Sequence, residues 1–176
     1  DLNKLLDEAE IGKLMERMYG LVSIRARSEK EFRDYLRELS FKRKLKDQDE
    51  ISEMTIEHLI ERLRQKGLIN DLEFARAWVE GRRRSKSKGT IALKSELIQK
   101  GIAREISDQI FEEEVVDEES LAERAIERKL AGFQKLPELE FKKKFFDYLL
   151  RRGFEYSIIK RVFEKLHKKD YFDSLN

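Results

Sequence analysis

The chain has 176 residues, and its 38 Lys and Arg against 36 Asp and Glu leave a formal net charge of only +2, although charged residues make up 42% of it. Overall charge therefore names no partner, and the length suits one domain or a short array of small units while excluding a second large catalytic domain. With 40% apolar residues, among them 11 Phe, 5 Tyr and 1 Trp, the chain can bury a continuous core and is not read as disordered.

The longest stretch without a charged residue, Met18 to Ile24, is seven residues, far short of the roughly 20 apolar residues a membrane span requires. No membrane partner is expected. The absence of Cys excludes disulfides, thiolate zinc sites and cysteine nucleophiles. Nothing at the start reads as a signal peptide, and both observations fit a reducing cytoplasm.

One Pro and eight Gly leave few breakers, and Glu, Lys, Arg and Leu dominate, so the expected fold class is all-α with no strands. Taken in chain order, a lead-in helix precedes a stripe of Phe32, Leu36 and Leu39 at helical spacing. Ile56, Leu59, Ile60 and Leu63 form the next, then Phe74, Ala75, Trp78 and Val79, with Trp78 expected in the core. Leu93, Leu97 and Ile98 follow, then Ile106, Ile110 and Phe111. The last third repeats the pattern with Leu121, Ala122, Ala125 and Ile126, then Phe141, Phe145, Phe146 and Leu149, then Ile158, Val162 and Phe163. Ser28 with Glu31 and Asn70 with Glu73 have the spacing of helix N-caps. Gly67, Gly101 and Gly153 each close an apolar run as left-handed C-terminal caps do, and Pro137 suits the first turn of another helix.

Two segments superimpose. Leu97-Ile98-Gln99-Lys100-Gly101-Ile102 and Leu149-Leu150-Arg151-Arg152-Gly153-Phe154 lie 52 residues apart, and Ile106, Ile110 and Phe111 align with Ile158, Val162 and Phe163 at the same offset. Phe74-Ala75 and Leu121-Ala122 match at offset 47, each preceded by a helix start, Asn70-Asp71 or Asp117-Glu118. A weaker copy begins at Leu36-Arg37-Glu38-Leu39-Ser40-Phe41, with Ser40 where glycine stands in the others, and resumes at Ile56 after a charged insertion. The expected organisation is a lead-in helix and first three-helix repeat over 1–69 with the insertion at 42–51, a second repeat over 70–116, a third over 117–167 and a tail over 168–176. Three short helices cannot bury their apolar faces alone, whereas stacked repeats share a core, so an elongated, curved array is expected. Coiled coil is the rival, but no heptad persists and the three glycines interrupt any seam.

Catalytic apparatus is missing from the sequence. There is no phosphate-cradling loop, no His-Glu-x-x-His and no nucleophile elbow. The only histidines, His58 and His167, are far apart and offer too few ligands for a metal. Ser85-Lys86-Ser87-Lys88 contains Ser-x-x-Lys only by chance, because flanking cations argue for a solvated loop. Glu112, Glu113, Glu114, Asp117, Glu118 and Glu119 are read as a solvated helix junction rather than a cation site. No cofactor, no metal and no enzymatic activity are expected.

Charge is segregated along the chain. Glu105 to Glu123 holds nine acids and no base, Gly81 to Lys100 seven bases and one acid, and Lys142 to Lys169 ten bases and three acids. Arg82, Arg83, Arg84, Lys86 and Lys88 place five cations in seven residues. Such a run is hard to pair internally and should meet an acidic partner. No aromatic residues interleave it and no helix-turn-helix is recognisable, so sequence-specific nucleic-acid reading is unsupported, while phosphate contact or an acidic protein groove would satisfy it.

Ile24-Arg25-Ala26-Arg27-Ser28-Glu29, Gly67-Leu68-Ile69-Asn70-Asp71 with Phe74-Ala75, and Lys88-Gly89 followed by Glu96-Leu97-Ile98-Gln99-Lys100-Gly101-Ile102 resemble the RecX family in order and spacing over roughly residues 20 to 166. RecX proteins are bacterial regulators that bind the RecA recombinase. The resemblance implies an inhibitor, acting as a monomer, that lodges in the groove of the RecA–DNA filament and limits filament extension, ATP hydrolysis, strand exchange and co-protease action. The surface assigned to that contact is Arg82, Arg83, Arg84, Lys86 and Lys88, extended by Arg25, Arg27, Arg151 and Arg152. Ser40 and the insertion depart from the family pattern in the first repeat. The alternative is a helical nucleic-acid-binding module acting through phosphate contacts without RecA.

Overall fold

The computed structural model describes the backbone of residues 2–173 and the side chains of residues 8–167. Among these residues it contains nine α-helices and no strand: α1 (Leu2–Ile24), α2 (Glu29–Lys44), α3 (Glu53–Gln65), α4 (Asp71–Lys86), α5 (Thr90–Gln99), α6 (Arg104–Glu113), α7 (Glu118–Phe133), α8 (Glu138–Arg151) and α9 (Tyr156–Asp173). The tail expected over 168–176 falls within α9 as far as Asp173 and then outside the described residues. No described helix is long and apolar enough to cross a membrane.

The helix starts follow their capping residues. Ser28 Oγ accepts from Glu31 N at 3.3 Å, Asn70 Oδ1 from Glu73 N at 3.1 Å and Asp117 Oδ1 from Ser120 N at 3.1 Å. Each satisfies a first-turn N–H that has no partner within the helix. Pro137, with φ −52°, stands at the N-cap of α8, one residue ahead of the first-turn position expected for it. Gly67, Gly101 and Gly153 have φ of 68°, 76° and 83°, the left-handed conformation that ends a helix and that glycine adopts at least cost.

The sequence offsets recur in the helix boundaries. α6 and α9 begin 52 residues apart, and α4 and α7 begin 47 apart. Ser40 is where the first copy diverges. It lies inside α2, buried, with its hydroxyl accepting from Ile51 N at 2.9 Å and donating to Ile51 O at 3.3 Å. Lacking a glycine there, α2 runs on to Lys44 before the chain turns at Asp47, φ 53°.

The chain divides into two compact units. The first joins the chain up to Ala75 with Gln99–Ile106, and the second joins Arg76–Ile98 with the chain from Ser107 onward. In the first, Leu14, Met15 and Met18 of α1 pack with Phe32 and Leu36 of α2 and with Ile56, Leu59, Ile60 and Leu63 of α3. The helix set apart as a lead-in thus supplies part of that core. In the second, Leu121, Ala122, Ala125 and Ile126 of α7 pack with Phe145 and Leu149 of α8, Phe154, and Ile159 and Val162 of α9. Each large side chain removed from water here contributes about 1.5–3 kcal/mol. Phe163 stacks among Phe141, Phe145 and Phe146 at 5.2–5.7 Å between ring centroids.

Candidate partner-binding surface

The basic run lies on the last turns of α4 and the link into α5, and its members have unlike surroundings. Arg83 is 9% exposed. Its guanidinium donates to Glu114 Oε2 at 2.9 Å, to Thr90 Oγ1 at 3.0 Å and to the Lys88 carbonyl at 3.1 Å. Its Nε stands 2.7 Å from Glu114 Oε1, a charge contact without a directed hydrogen bond, and Nη1 stands 3.6 Å from Glu118. Thr90 in turn donates its backbone N–H to Glu118 at 2.9 Å. An arginine so enclosed is held by charge pairing in a poorly solvated place.

Arg82 and Lys88 converge on Glu96 of α5. Arg82 Nε stands 3.1 Å from Glu96 Oε2, Trp78 Nε1 donates to the same oxygen at 2.8 Å, and Lys88 Nζ donates to Glu96 Oε1. The Arg82 guanidinium also stacks on the Trp78 ring, 4.5 Å from its centroid. Burial pushes the Glu96 carboxyl upward in pKa, but hydrogen bonds from Lys88 and Trp78 outweigh it and hold the group below the ordinary carboxylate value. Trp78, expected in the core, is only partly buried. Its indole N–H needs an acceptor, and Glu96 provides one at the surface.

Arg152 donates to the Lys86 carbonyl and, at 2.8 Å, to Tyr148 Oη. Arg25 makes a two-point pair with Glu31, at 2.8 and 3.0 Å, and Arg27 Nε reaches the Leu21 carbonyl at 3.4 Å. Lys100 Nζ donates to the same Glu31 at 2.6 Å. Burial pushes the Glu31 carboxyl up, yet hydrogen bonds from Arg25 and Lys100 prevail and lower it to about 2.

Of the nine cations assigned to partner contact, Arg84, Lys86 and Arg151 are fully on the surface with no partner beyond the exposed α4 pair of Arg84 with Glu80. The expectation that the run is hard to pair internally does not hold for Arg82, Arg83 and Lys88. Glu96, Glu114, Glu118 and Thr90 were not singled out as their partners. The available signal was the charge segregation itself, because a base-rich stretch and an acid-only stretch in neighbouring helices can neutralise one another. Glu113 pairs with Arg76 at 2.9 Å, Glu123 with Lys165 at 2.5 Å, and Glu119 with Arg161. The acidic segment is thus largely spent within the chain, and it straddles the end of α6 and the start of α7 as expected of a helix junction. Among the described residues no group of acids or histidines is placed to hold a metal.

The model for the second three-helix domain of RecX matches residues 70–109 and that for the third three-helix domain matches residues 117–163. Regulatory protein RecX of Prosthecochloris aestuarii is 30% identical over 161 residues, covering 92% of this chain and 98% of the relative. The chain belongs to the RecX family. RecX of Amycolatopsis mediterranei is likewise 30% identical, over 89% of this chain and 87% of its own. RecX of Listeria monocytogenes is 34% identical over 62% of this chain but only 40% of its own length. The crystal structure of RecX from Lactobacillus salivarius superposes with a TM-score of 0.68 at 25% identity, covering 91% of this chain and 98% of that one. A second RecX crystal structure gives 0.74 at 21% identity, a likeness of fold. The all-α helical repeat read from the sequence is therefore the RecX fold.

Proposed function

We propose that this chain modulates the RecA recombinase, binding in the groove of the RecA–DNA filament and limiting filament extension, ATP hydrolysis, strand exchange and co-protease action without catalysis of its own. The observation that carries this reading is the 30% identity sustained over 98% of a protein named regulatory protein RecX. Three repeats over 1–69, 70–116 and 117–167, acting as a monomer in the bacterial cytoplasm, form the proposed binding body. A groove ligand opposes subunit rearrangement only through unequal affinity for two filament states, so the contact must favour one of them.

The exposed cations Arg84, Lys86 and Arg151 are the members of the original surface with charge to offer a partner. Rim charges of this kind steer association and lose effect as salt rises. The test is RecA ATPase on single-stranded DNA with the triple variant Arg84→Glu, Lys86→Glu, Arg151→Glu. Inhibition should weaken about tenfold or more at low salt. Inhibition unchanged by the variant refutes the surface, and no inhibition by the unaltered chain refutes the RecA reading.

A nucleic-acid module acting without RecA is the second reading, favoured by the exposed cations Arg124, Arg128, Lys143 and Lys144 on the third repeat, which have no acidic partner among the described residues. It predicts binding to single-stranded DNA alone, with log affinity falling against log salt by about 0.7 for each phosphate contacted.

A further inference from the structure

The Glu96 carboxylate sits in a ready-made oxyanion site. Trp78 Nε1 and Arg82 Nε meet one of its oxygens, at 2.8 and 3.1 Å, and Lys88 meets the other. Two of the donors come from α4 and the third from the link after it, while the accepting carboxylate belongs to α5. The Arg82 guanidinium also lies over the Trp78 ring, 4.5 Å from its centroid, a contact in which the carboxylate takes no part. The site is not sealed. The side chains of Arg82, Lys88 and Glu96 are 28%, 24% and 17% exposed, so a carboxylate arriving from outside can reach the same donors.

We propose that Glu96 is an internal competitor in a carboxylate-binding site made by Trp78, Arg82 and Lys88, and that the external ligand is an acidic segment of a partner protein. Donors serving both oxygens of one flat group match a carboxylate. Because Glu96 is tethered, its effective concentration at the site is high, on the order of millimolar or more. A single free carboxylate loses that competition, whereas an acidic segment that also meets Lys86, exposed one turn beyond Arg82 on the same face of α4, can win it. The device sets a threshold: isolated anions are refused and a run of acids is admitted. It requires no assumption about RecA.

Trp78 is the single tryptophan of the chain, so its fluorescence reports occupancy directly. The experiment titrates a twelve-residue poly-glutamate peptide, and in parallel a single-stranded oligothymidylate, into the unaltered chain, Glu96→Gln and Glu96→Asp. The peptide should shift Trp78 emission at about tenfold lower concentration in Glu96→Gln, the loss of one charge-assisted carboxylate contact being worth that factor or more. Glu96→Asp, which keeps the charge, should stay near the unaltered chain and guards against a folding defect in Glu96→Gln. Equal peptide response in all three proteins, or none in any, overturns the proposal. A response in Glu96→Gln to the oligonucleotide and not to the peptide overturns the assignment to an acidic protein segment.

Discussion

Gly89 and Gly153 meet backbone to backbone, with no room for a side chain on either. A Cβ at Gly89 would fall on the Gly153 carbonyl, and one at Gly153 would fall on the backbone of Ala92. Gly89 N donates to the Arg152 carbonyl at 2.9 Å and Ile91 N to the Gly153 carbonyl at 3.1 Å. The C-terminal cap of α8 is thereby fastened to the start of α5, which gives the Lys88-Gly89 pair a physical purpose beyond local turn geometry.

Gly153 is therefore held by both conformation and space, while Gly67 has φ of 68° but nothing near its missing Cβ. Gly67→Ala should cost about 1 kcal/mol for the left-handed backbone alone. Gly153→Ala adds a backbone collision and should cost about 3 kcal/mol or more. Urea unfolding of the two variants checks the order, and equal losses would contradict the close approach.

Arg83 and Arg84 are adjacent in sequence and opposite in consequence. Removing the buried guanidinium in Arg83→Met strands Glu114 and should cost about 3 kcal/mol. Arg84→Met removes an exposed pair with Glu80 and should change stability by less than about 0.5 kcal/mol. Thermal unfolding monitored by circular dichroism separates them.

Glu31 gives the fold a pH dependence. Its carboxyl is lowered from the ordinary 4.5 to about 2 in the folded chain by Arg25 and Lys100, against the upward push of burial. A depressed folded-state value means the unfolded chain takes up the proton first. The stabilisation is complete above about 4.5 and is lost as pH falls toward 2. Between those values the stability of the unaltered chain should fall more steeply than that of Glu31→Gln, as urea midpoints at successive pH will show. Parallel curves would mean that the three-residue cluster does not persist in solution.

Trp78 is half-buried and anchored by its N–H to Glu96, so Trp78→Ala should cost about 2 kcal/mol, less than the 3–5 kcal/mol of a core aromatic such as Phe74. Trp78→Phe keeps an aromatic ring, though a smaller one, and loses the hydrogen bond, and should cost about 1 kcal/mol. A Trp78→Ala penalty equal to that of Phe74→Ala would return Trp78 to the core.

The helices, their caps and the repeat were legible because they depend on residues close in sequence. The apolar spacing of Leu93 and Leu97 reads as a buried face without knowledge of what covers it, and Gly101 and Gly153 mark helix ends by their own conformational freedom. Trp78 was misplaced for the same reason, since spacing puts it on the apolar face but cannot say that a carboxylate from α5 waits at the rim.

What the sequence by itself determined was an all-α repeat, along with the family to which its motif order belongs. What only the tertiary structure decided was the fate of the charges. Whether Arg82, Arg83 and Lys88 face a partner or face Glu96, Glu114 and Glu118 depends on which helices lie side by side. Coulomb pairing acts over a few ångströms of space and takes no account of distance along the chain.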